Sequence, residues 1–585
     1  MFAVAVATAI LVWRGDLPLW ALVVPGICFL VLIVWHERVI RARHAVLRAI
    51  AHYERGLARI EDRWIGTGEP GTRFQDEHHP YAVDLDLFGP GSIFELLSTA
   101  RTRDGEAALA GWLLTGARPA TIRERQQAVA ELAPVVLLRE QMAIVGDAAR
   151  IAVDTDGIRD WAMQAALPGL GRLRFTTCAA AAASVAATTL LAATGNALPL
   201  QVFFVIQIVI RQLQESSVDR ILNIASGKAR ELDTLTQLLR HLESGVFVAA
   251  RLVTLRGMLA TPVSASRAIA SLQRLAERYA WRHSLPLVPV AFVGYAFTGA
   301  DWALDAALVC ASAFVLFTPF LALAVERWRR LHGPHVGGWM AALGEFEATL
   351  ALAGYHFEHP QDPFPVIEDG GLEQAAVFDG TALGHPLVPA ERMVRNDVQL
   401  TAGLQLLMVS GSNMSGKSTL LRTVGVNTVL ALAGAPVRAA SLRLTPLAIG
   451  ATLRIEDSLR DGRSRFFAEI TRIRMLSDLA AGPVPLLFLL DEVLSGTNSH
   501  DRLIGASGIL RALIARGAIG LATTHDLALT AVADDLAPRA ANIHFDDSLD
   551  GEEMHFDYLA KAGPVTRSNA LALMRAVGLE LEPEA

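Results

Sequence analysis

The chain has 585 residues, of which 52% are hydrophobic and only 19% charged, and its mean hydropathy is +0.36. Soluble domains average about 25% charged residues, so the composition excludes a disordered chain and disfavours a wholly soluble protein. The net charge of −7 gives no global positive field and argues against a dedicated nucleic-acid binder. The three cysteines lie far apart in apolar runs and predict neither a disulfide framework nor a cysteine zinc site.

Two apolar runs open the chain, residues 2–13 and 17–35. The second has 19 residues without a charge, enough to cross a hydrocarbon core of about 30 Å at about 1.5 Å per residue. A cleaved signal peptide fits poorly, because no basic region precedes the first run and the apolar stretch is double. The pattern predicts a transmembrane hairpin over residues 1–36, followed by a juxtamembrane segment over 37–90.

Further apolar stretches predict hairpins at 175–210 and 285–325, although buried core helices would have a similar composition. If all three hairpins cross, every long segment lies on one side together with nearly all the arginines. Cytoplasmic segments carry the excess of basic residues in membrane proteins. We therefore expect a multi-pass protein in a lipid bilayer, with the bulk of the chain in the cytoplasm.

The segments 91–170 and 211–284 have apolar residues at three- and four-residue spacing, which predicts helices. Segment 211–284 contains 11 basic and 6 acidic residues. This excess is consistent with a face for DNA or anionic lipid, and equally with a solvated helix surface beside a cytoplasmic leaflet.

The pattern changes after the prolines at 360, 363 and 365. The short apolar runs 404–410, 485–490 and 518–523 alternate with helical segments, and each is followed by polar residues. Such alternation is typical of a buried sheet with crossover helices. The predicted organisation is a helical region with apolar hairpins over 91–360 and an α/β domain over 361–585.

Residues 411–418, Gly-Ser-Asn-Met-Ser-Gly-Lys-Ser, follow the first of these apolar runs and open a helix. In such a loop, backbone N–H groups and the helix N-terminus hold phosphate oxygens. Lys417 is expected to reach the β- and γ-phosphates, and Ser418 to ligate Mg²⁺. A compact ammonium fits this position where a guanidinium fork would not, and the chain has only three lysines.

The other two apolar runs end in residues suited to hydrolysis. Asp491 is expected to hold the coordination shell of the Mg²⁺ ion, and Glu492 is expected to orient or deprotonate the attacking water. His525, at the tip of the third run, is expected to sense the γ-phosphate. The sequence therefore predicts a Mg²⁺-dependent ATPase with ATP as its nucleotide.

Together these residues resemble the MutS family of ABC-class ATPases. The positions that match that family's nucleotide-binding loop are Gly411, Ser412, Asn413, Met414, Ser415, Gly416, Lys417, Ser418 and Thr419. The order Asp491-Glu492, Gly496-Thr497 and Asp501 is similar to a second element of the family. Residues 462–469 resemble a segment whose serine reaches the partner's γ-phosphate, which implies a catalytic Ser464 and a homodimer through the ATPase domain.

Two segments outside the loop extend the resemblance. His385-Pro386 and Asn396 resemble the segment that packs on the adenine, with Met393 in place of the family's aromatic residue. Residues 96–129 are similar to the start of the family's helical core. The resemblance implies an α/β ABC-class P-loop ATPase domain at the C-terminus, preceded by an all-α lever region that here carries the predicted transmembrane hairpins.

The departures from the family bear on function. A mismatch-reading domain with a Phe-x-Glu wedge has no room between the first hairpin and the helical core, and apolar hairpins stand where a DNA clamp is expected. The leading hypothesis is a membrane-anchored, ATP-driven conformational switch. The alternatives are a mismatch-repair-type protein that binds duplex DNA and an ABC-type transporter, although no Leu-Ser-Gly-Gly-Gln-like segment precedes Asp491.

Overall fold

The computed structural model describes residues 2–18, 21, 23–149, 155–164, 170–226, 229–281, 301–369, 375–412, 414–454, 465–494, 497–550 and 553–565. The described part up to residue 358 is built from helices, and strands alternate with helices from residue 366 onward. This division confirms the predicted order of a helical region followed by an α/β domain.

The helices of the first part are, in chain order, α1 (Phe2–Trp13), α2 (Val23–Ile60), α3 (Ile93–Leu97), α4 (Arg103–Leu114), α5 (Pro119–Leu132), α6 (Val136–Ala149), α7 (Thr155–Met163), α8 (Leu170–Thr194), α9 (Leu198–Ser226), α10 (Ala229–Ser244), α11 (Ala250–Ala260), α12 (Ala265–Trp281) and α13 (Asp301–Glu358).

Two of the described helices, α2 and α8, are long and apolar enough to cross a membrane, by length and composition alone. Helix α1 has only 12 residues, or about 18 Å at about 1.5 Å per residue, and the apolar part of α9 is also short. Residues 285–300 of the third predicted hairpin lie outside the described residues, and residues 306–325 form the start of α13. The membrane topology stays a prediction.

Helix α13 has 58 residues and is the axis of the helical region. Its buried residues Val336, Trp339, Leu343 and Phe346 recur at three- and four-residue spacing, which places one apolar stripe against the neighbouring helices. The Glu347 carboxylate accepts hydrogen bonds from the amides of residues 101 and 102, just before α4. The long helix is thereby joined to the start of the helical core.

The α/β part contains the strands β1 (Val366–Ile367), β2 (Phe378–Leu383), β3 (Asn396–Leu400), β4 (Leu406–Ser410), β5 (Ser441–Leu444), β6 (Ala448–Thr452), β7 (Leu486–Leu490), β8 (Ile519–Thr524), β9 (Ala540–Asp550) and β10 (Glu553–Ala562). Its helices are α14 (Lys417–Ala433), α15 (Arg465–Leu479), α16 (Ser499–Ala515) and α17 (Leu527–Asp535).

The larger sheet has the strand order β10-β9-β4-β8-β7-β6, and its pairs are parallel except for β10 with β9. Strands β4, β7 and β8 are buried at every position, which is why they read as continuous apolar runs. Parallel strands present their carboxyl ends at one edge, so the polar residues after all three meet there. A smaller sheet, β1-β5-β2-β3, lies beside it.

The segment before α3 is fastened to the α/β part through Asp84, which is fully buried. Its Oδ1 accepts hydrogen bonds from the amides of Leu453 and Arg454, both 2.7 Å long, directly after β6. Its Oδ2 lies 2.7 Å from the guanidinium of Arg472 on α15. Residues that precede the helical core thereby hold the edge strand of the large sheet.

Candidate nucleotide-binding site

The loop 411–416 connects the central strand β4 to helix α14. Gly411 has φ = 146° and Gly416 has φ = 106°, a region that favours glycine because it has no side chain. A Cβ at Gly416 would also lie 3.1 Å from Cδ1 of Tyr558. The strand–loop–helix context predicted for a phosphate-binding loop is therefore present.

Lys417, the first residue of α14, is buried with its ammonium at the loop. Its Nζ donates to the carbonyl oxygens of Gly411, at 2.8 Å, and Ser412, at 2.7 Å. Burial lowers the pKa of Lys417, and the nearby carboxylates of Glu492 and Asp491 oppose that shift. The ammonium is thus held where the loop wraps a phosphate group.

Two serine hydroxyls of the loop test whether a phosphate fits. The Oγ atoms of Ser412 and Ser415 are buried and have no hydrogen-bond partner among the described residues. A buried hydroxyl without a partner is costly. Phosphate oxygens would accept from both, so these residues fit a bound polyphosphate.

A second cluster lies at the carboxyl edge of the sheet, where the start of α14 meets the ends of β7 and β8. Ser418 Oγ donates to Asp491 Oδ2 at 2.6 Å, and the Thr523 hydroxyl donates to the other oxygen of Asp491. The Glu492 amide donates to Thr523 Oγ1 at 2.9 Å. A hydroxyl and a carboxylate beside phosphates are the oxygen ligands that Mg²⁺ takes in nucleotide sites, so Ser418 and Asp491 fit the predicted metal.

Glu492 and His525 stand next to each other at the ends of β7 and β8. The Nδ1 atom of His525 lies 3.4 Å from Oε1 of Glu492. Glu492 has φ = 48°, a left-handed conformation that is uncommon for a residue other than glycine and is often found at functional sites. Both side chains are partly exposed and therefore accessible to water and substrate.

The loop opens into a cavity of about 810 Å³, within the range of small-molecule sites. Its lining includes the polar residues Lys417, Ser418, Thr419 and Glu492. The lining also includes side chains from three other segments: Leu383, His385, Val388, Arg392, Met393, Val394, Asn396, Phe545 and Tyr558. A lining that combines polar groups for phosphates with apolar and aromatic groups for a flat base suits a nucleotide.

His385 and Asn396, from the segment predicted to pack on the base, both line the cavity and also support its walls. Burial lowers the pKa of His385 to about 4, and its Nδ1 accepts from the amide of Leu387, so the ring is neutral. The side-chain amide of Asn396 donates through Nδ2 to the backbone carbonyl of Tyr558, and its Oδ1 accepts from the backbone amide of Ala560. Asn396 therefore ties β3 to the β9–β10 hairpin that supplies Tyr558.

The structure brings Lys417, Ser418, Thr419, Asp491, Glu492 and His525 together, with Gly411, Ser412, Met414, Ser415 and Gly416 in the loop. Met414 is 84% exposed. Asn413, Ser464 and Gly496 lie outside the described residues, so their predicted roles stay predictions.

Sequence reasoning missed Thr523 and Tyr558. Thr523 stands two residues before His525 at the same strand end, a position that would have pointed to it. Tyr558 lies in the hairpin far along the chain, where no motif marks it.

Comparison with known proteins agrees with this geometry. Residues 407–582 match the family model for MutS domain V. The DNA mismatch repair protein MutS 2 of Halobacterium salinarum is 36% identical over 203 residues, which are 33% of this chain and 23% of that protein. The endonuclease MutS2 of Anaeromyxobacter sp. is 32% identical over 252 residues, which are 41% of this chain and 30% of that protein.

The chain thus spans less than a third of the length of either relative. The residues matched by the family model include the Lys417 loop, the strand that ends at Asp491-Glu492 and the strand that ends before His525. They do not include residues 383–396, which also contribute to the lining of the cavity. The carboxyl-terminal domain of this chain is therefore similar to domain V of the MutS family.

Proposed function

We propose that this chain binds ATP in the cavity beside residues 411–419 and hydrolyses it. The observation that carries the proposal is the convergence of Lys417, the Ser418–Asp491 pair and Glu492 at one edge of the sheet. Phosphoryl transfer depends on positioning and on stabilising the charge that develops on the transferred group. These side chains are the groups which supply both.

Each residue has a distinct role in this proposal. Lys417 neutralises charge on the β- and γ-phosphate oxygens, and the loop amides with Ser412 and Ser415 orient them. Glu492 orients the attacking water and accepts its proton, while His525, beside it, senses the γ-phosphate. Ser418 and Asp491 would hold Mg²⁺, which would supply positive charge beside the phosphates. Thr523 fixes Asp491 and the backbone of Glu492.

Two substitutions test this assignment in purified full-length protein. Lys417→Ala should abolish binding of a fluorescent ATP analogue, and Glu492→Gln should retain binding while release of inorganic phosphate stops. Glu368→Gln, at an ion pair with Arg443 outside the cavity, is the control. Undiminished turnover in either site variant would contradict the proposal.

The relatives favour DNA as the target of the ATPase. One is named a DNA mismatch repair protein and the other an endonuclease. We propose that this chain acts on duplex DNA in a mismatch-repair-type process, with closure and opening of paired ATPase domains driving the helical region. The net charge of residues 211–284 supports a contact with phosphates there.

The DNA proposal is tested by measuring fluorescence anisotropy of a labelled duplex, with and without a mismatch, at about 50 and 200 mM salt. Binding should weaken with salt, and duplex should change the ATPase rate. The exposed Arg240 and Arg274 lie on α10 and α12, and their replacement by glutamate should reduce affinity. Absence of binding at low salt would exclude DNA as the target.

The dimer is a separate proposal, supported by the resemblance of residues 462–469 to a segment that completes the partner's site. Ser464→Ala should lower turnover with little change in nucleotide affinity. Light scattering should show that Glu492→Gln pairs when ATP is added. A monomer with full activity at every concentration would refute a composite site.

A bilayer anchor is supported by α2, which exposes apolar residues over several successive turns of its first half. Val24, Leu30 and Trp35 are 60%, 62% and 64% exposed, and exposed apolar surface of this extent is unfavourable in water. We propose that this helix inserts into lipid. Carbonate extraction of cell membranes should leave the chain in the pellet, and its release into the supernatant would contradict insertion.

A further inference from the structure

A second cavity of about 260 Å³ lies in the helical region, between α2, α6 and α13. Leu57, Ile60, Val136, Met142 and Leu350 give it an apolar wall. The charged residues on its wall are Arg59, Arg101, Arg139, Glu347 and Glu358. This combination of an apolar wall with buried charges differs from an ordinary packing defect, whose lining is apolar throughout.

The two carboxylates of this cavity are already engaged. Glu358 forms a two-pronged ion pair with Arg59. Glu347 accepts hydrogen bonds from Thr102 and from the amide of residue 101. Neither leaves a free negative charge for the third arginine, Arg139.

Arg139 forms no ion pair of its own among the described residues, and the carboxylate that acts on it, Glu358, is already paired with Arg59. Arg139 is only 8% exposed, and its guanidinium donates to the carbonyl oxygens of Leu132 and Ala133. Its guanidinium carbon lies 4.7 Å from the ring centroid of Phe357. A buried charge without a partner is costly, so the site favours an anion. Burial, and then the surrounding arginines, lower the pKa of His52 on the same wall to about 4, which agrees with a positive field.

Two helix glycines leave this space open. A Cβ at Gly354 on α13 would meet no atom within 4 Å, and one at Gly56 on α2 would lie 3.3 Å from Glu358 Oε1. Glycine inside a helix costs about 0.5–1 kcal/mol relative to alanine. Gly354 destabilises α13 although a larger side chain would fit at this position, and its missing side chain leaves the cavity open.

We propose that this cavity binds a small amphiphilic anion, a carboxylate on a medium-length hydrocarbon chain, with the carboxylate at Arg139 and the chain along the apolar wall. At about 30 Å³ per group, the share of one water in the liquid, the cavity holds roughly nine non-hydrogen groups. Octanoate, with eight carbons and two oxygens, is close to this size and is therefore the probe.

The test is equilibrium dialysis of radiolabelled octanoate against the full chain in lipid nanodiscs, with empty nanodiscs subtracted. We expect one saturable site per chain, competition by unlabelled octanoate, and at least tenfold weaker competition by octanol and by acetate. Gly354→Leu, which fills the cavity, should weaken binding at least tenfold, whereas Gly354→Ala should bind within about twofold of wild type.

Arg139 supports the end of α5, so Arg139→Gln is accepted only if ATP-analogue binding shows that the chain is folded. This substitution should weaken the binding of octanoate and leave the binding of octanol unchanged. Several results would overturn the proposal: no saturable binding, equal binding of octanol, equal competition by acetate, or undiminished binding by Gly354→Leu.

Discussion

The attachment of Asp84 to the edge of the large sheet leads to a quantitative prediction for Asp84→Ala. The substitution removes the partner of Arg472, which is only 17% exposed, and the acceptor of the amides of Leu453 and Arg454. Breaking a buried pair by removing one member costs about 3–5 kcal/mol, because the remaining charge stays buried. Each buried amide left without an acceptor adds about 1–3 kcal/mol unless water reaches it.

A chain of this size need not unfold in one step, so the local effect is the better measurement. Hydrogen exchange reports the opening of the amides of residues 453 and 454 themselves. A loss of about 3 kcal/mol corresponds to roughly a hundredfold faster exchange. Because the carbonyl of Thr452 accepts from the amide of Asp491 at 3.1 Å, we also expect weaker ATP binding.

The matched control is Asp535→Ala, which removes an ion pair with Arg511 whose members are 66% and 46% exposed. Exposed pairs contribute about 0–1 kcal/mol, so exchange elsewhere should change by a few-fold at most. If Asp84→Ala leaves exchange at residues 453 and 454 as slow as in wild type, the inference that Asp84 holds this strand is wrong.

Three further predictions concern other contacts. Gly105→Ala should destabilise the helical region by several kcal/mol on denaturant unfolding, because its methyl group would overlap the Glu347 carboxylate; a normal midpoint would contradict this. Burial raises the pKa of Glu347 to about 7, so stability should be greatest below the unfolded pKa of about 4.5 and fall as pH rises to about 7. Glu347→Gln should remove this slope, and an unchanged slope would exclude Glu347 as its source. Tyr558→Ala should weaken ATP binding about tenfold while Tyr558→Phe does not, because stacking on a base needs the aromatic ring and not the hydroxyl. Equal affinity of all three proteins would remove Tyr558 from the site.

The sequence alone was sufficient for the phosphate-binding loop and the residues at the strand ends. Lys417 and Ser418 belong to one contiguous motif, and Asp491, Glu492 and His525 follow short apolar runs that are typical of buried strands. Parallel strands end at one edge of a sheet, so these side chains meet whatever the rest of the chain does. The same local logic predicted the helical region before residue 360.

Only the tertiary structure revealed the contacts between positions that are distant in the chain. Tyr558 reaches the loop because the β9–β10 hairpin pairs beside β4, and Asp84 reaches β6 across more than 360 residues. The burial of Arg139 without an ion pair of its own among the described residues becomes visible only once α2, α6 and α13 pack together. Sequence patterns report periodicity and neighbours along the chain, whereas burial and the partner of a charge depend on which segments pack together.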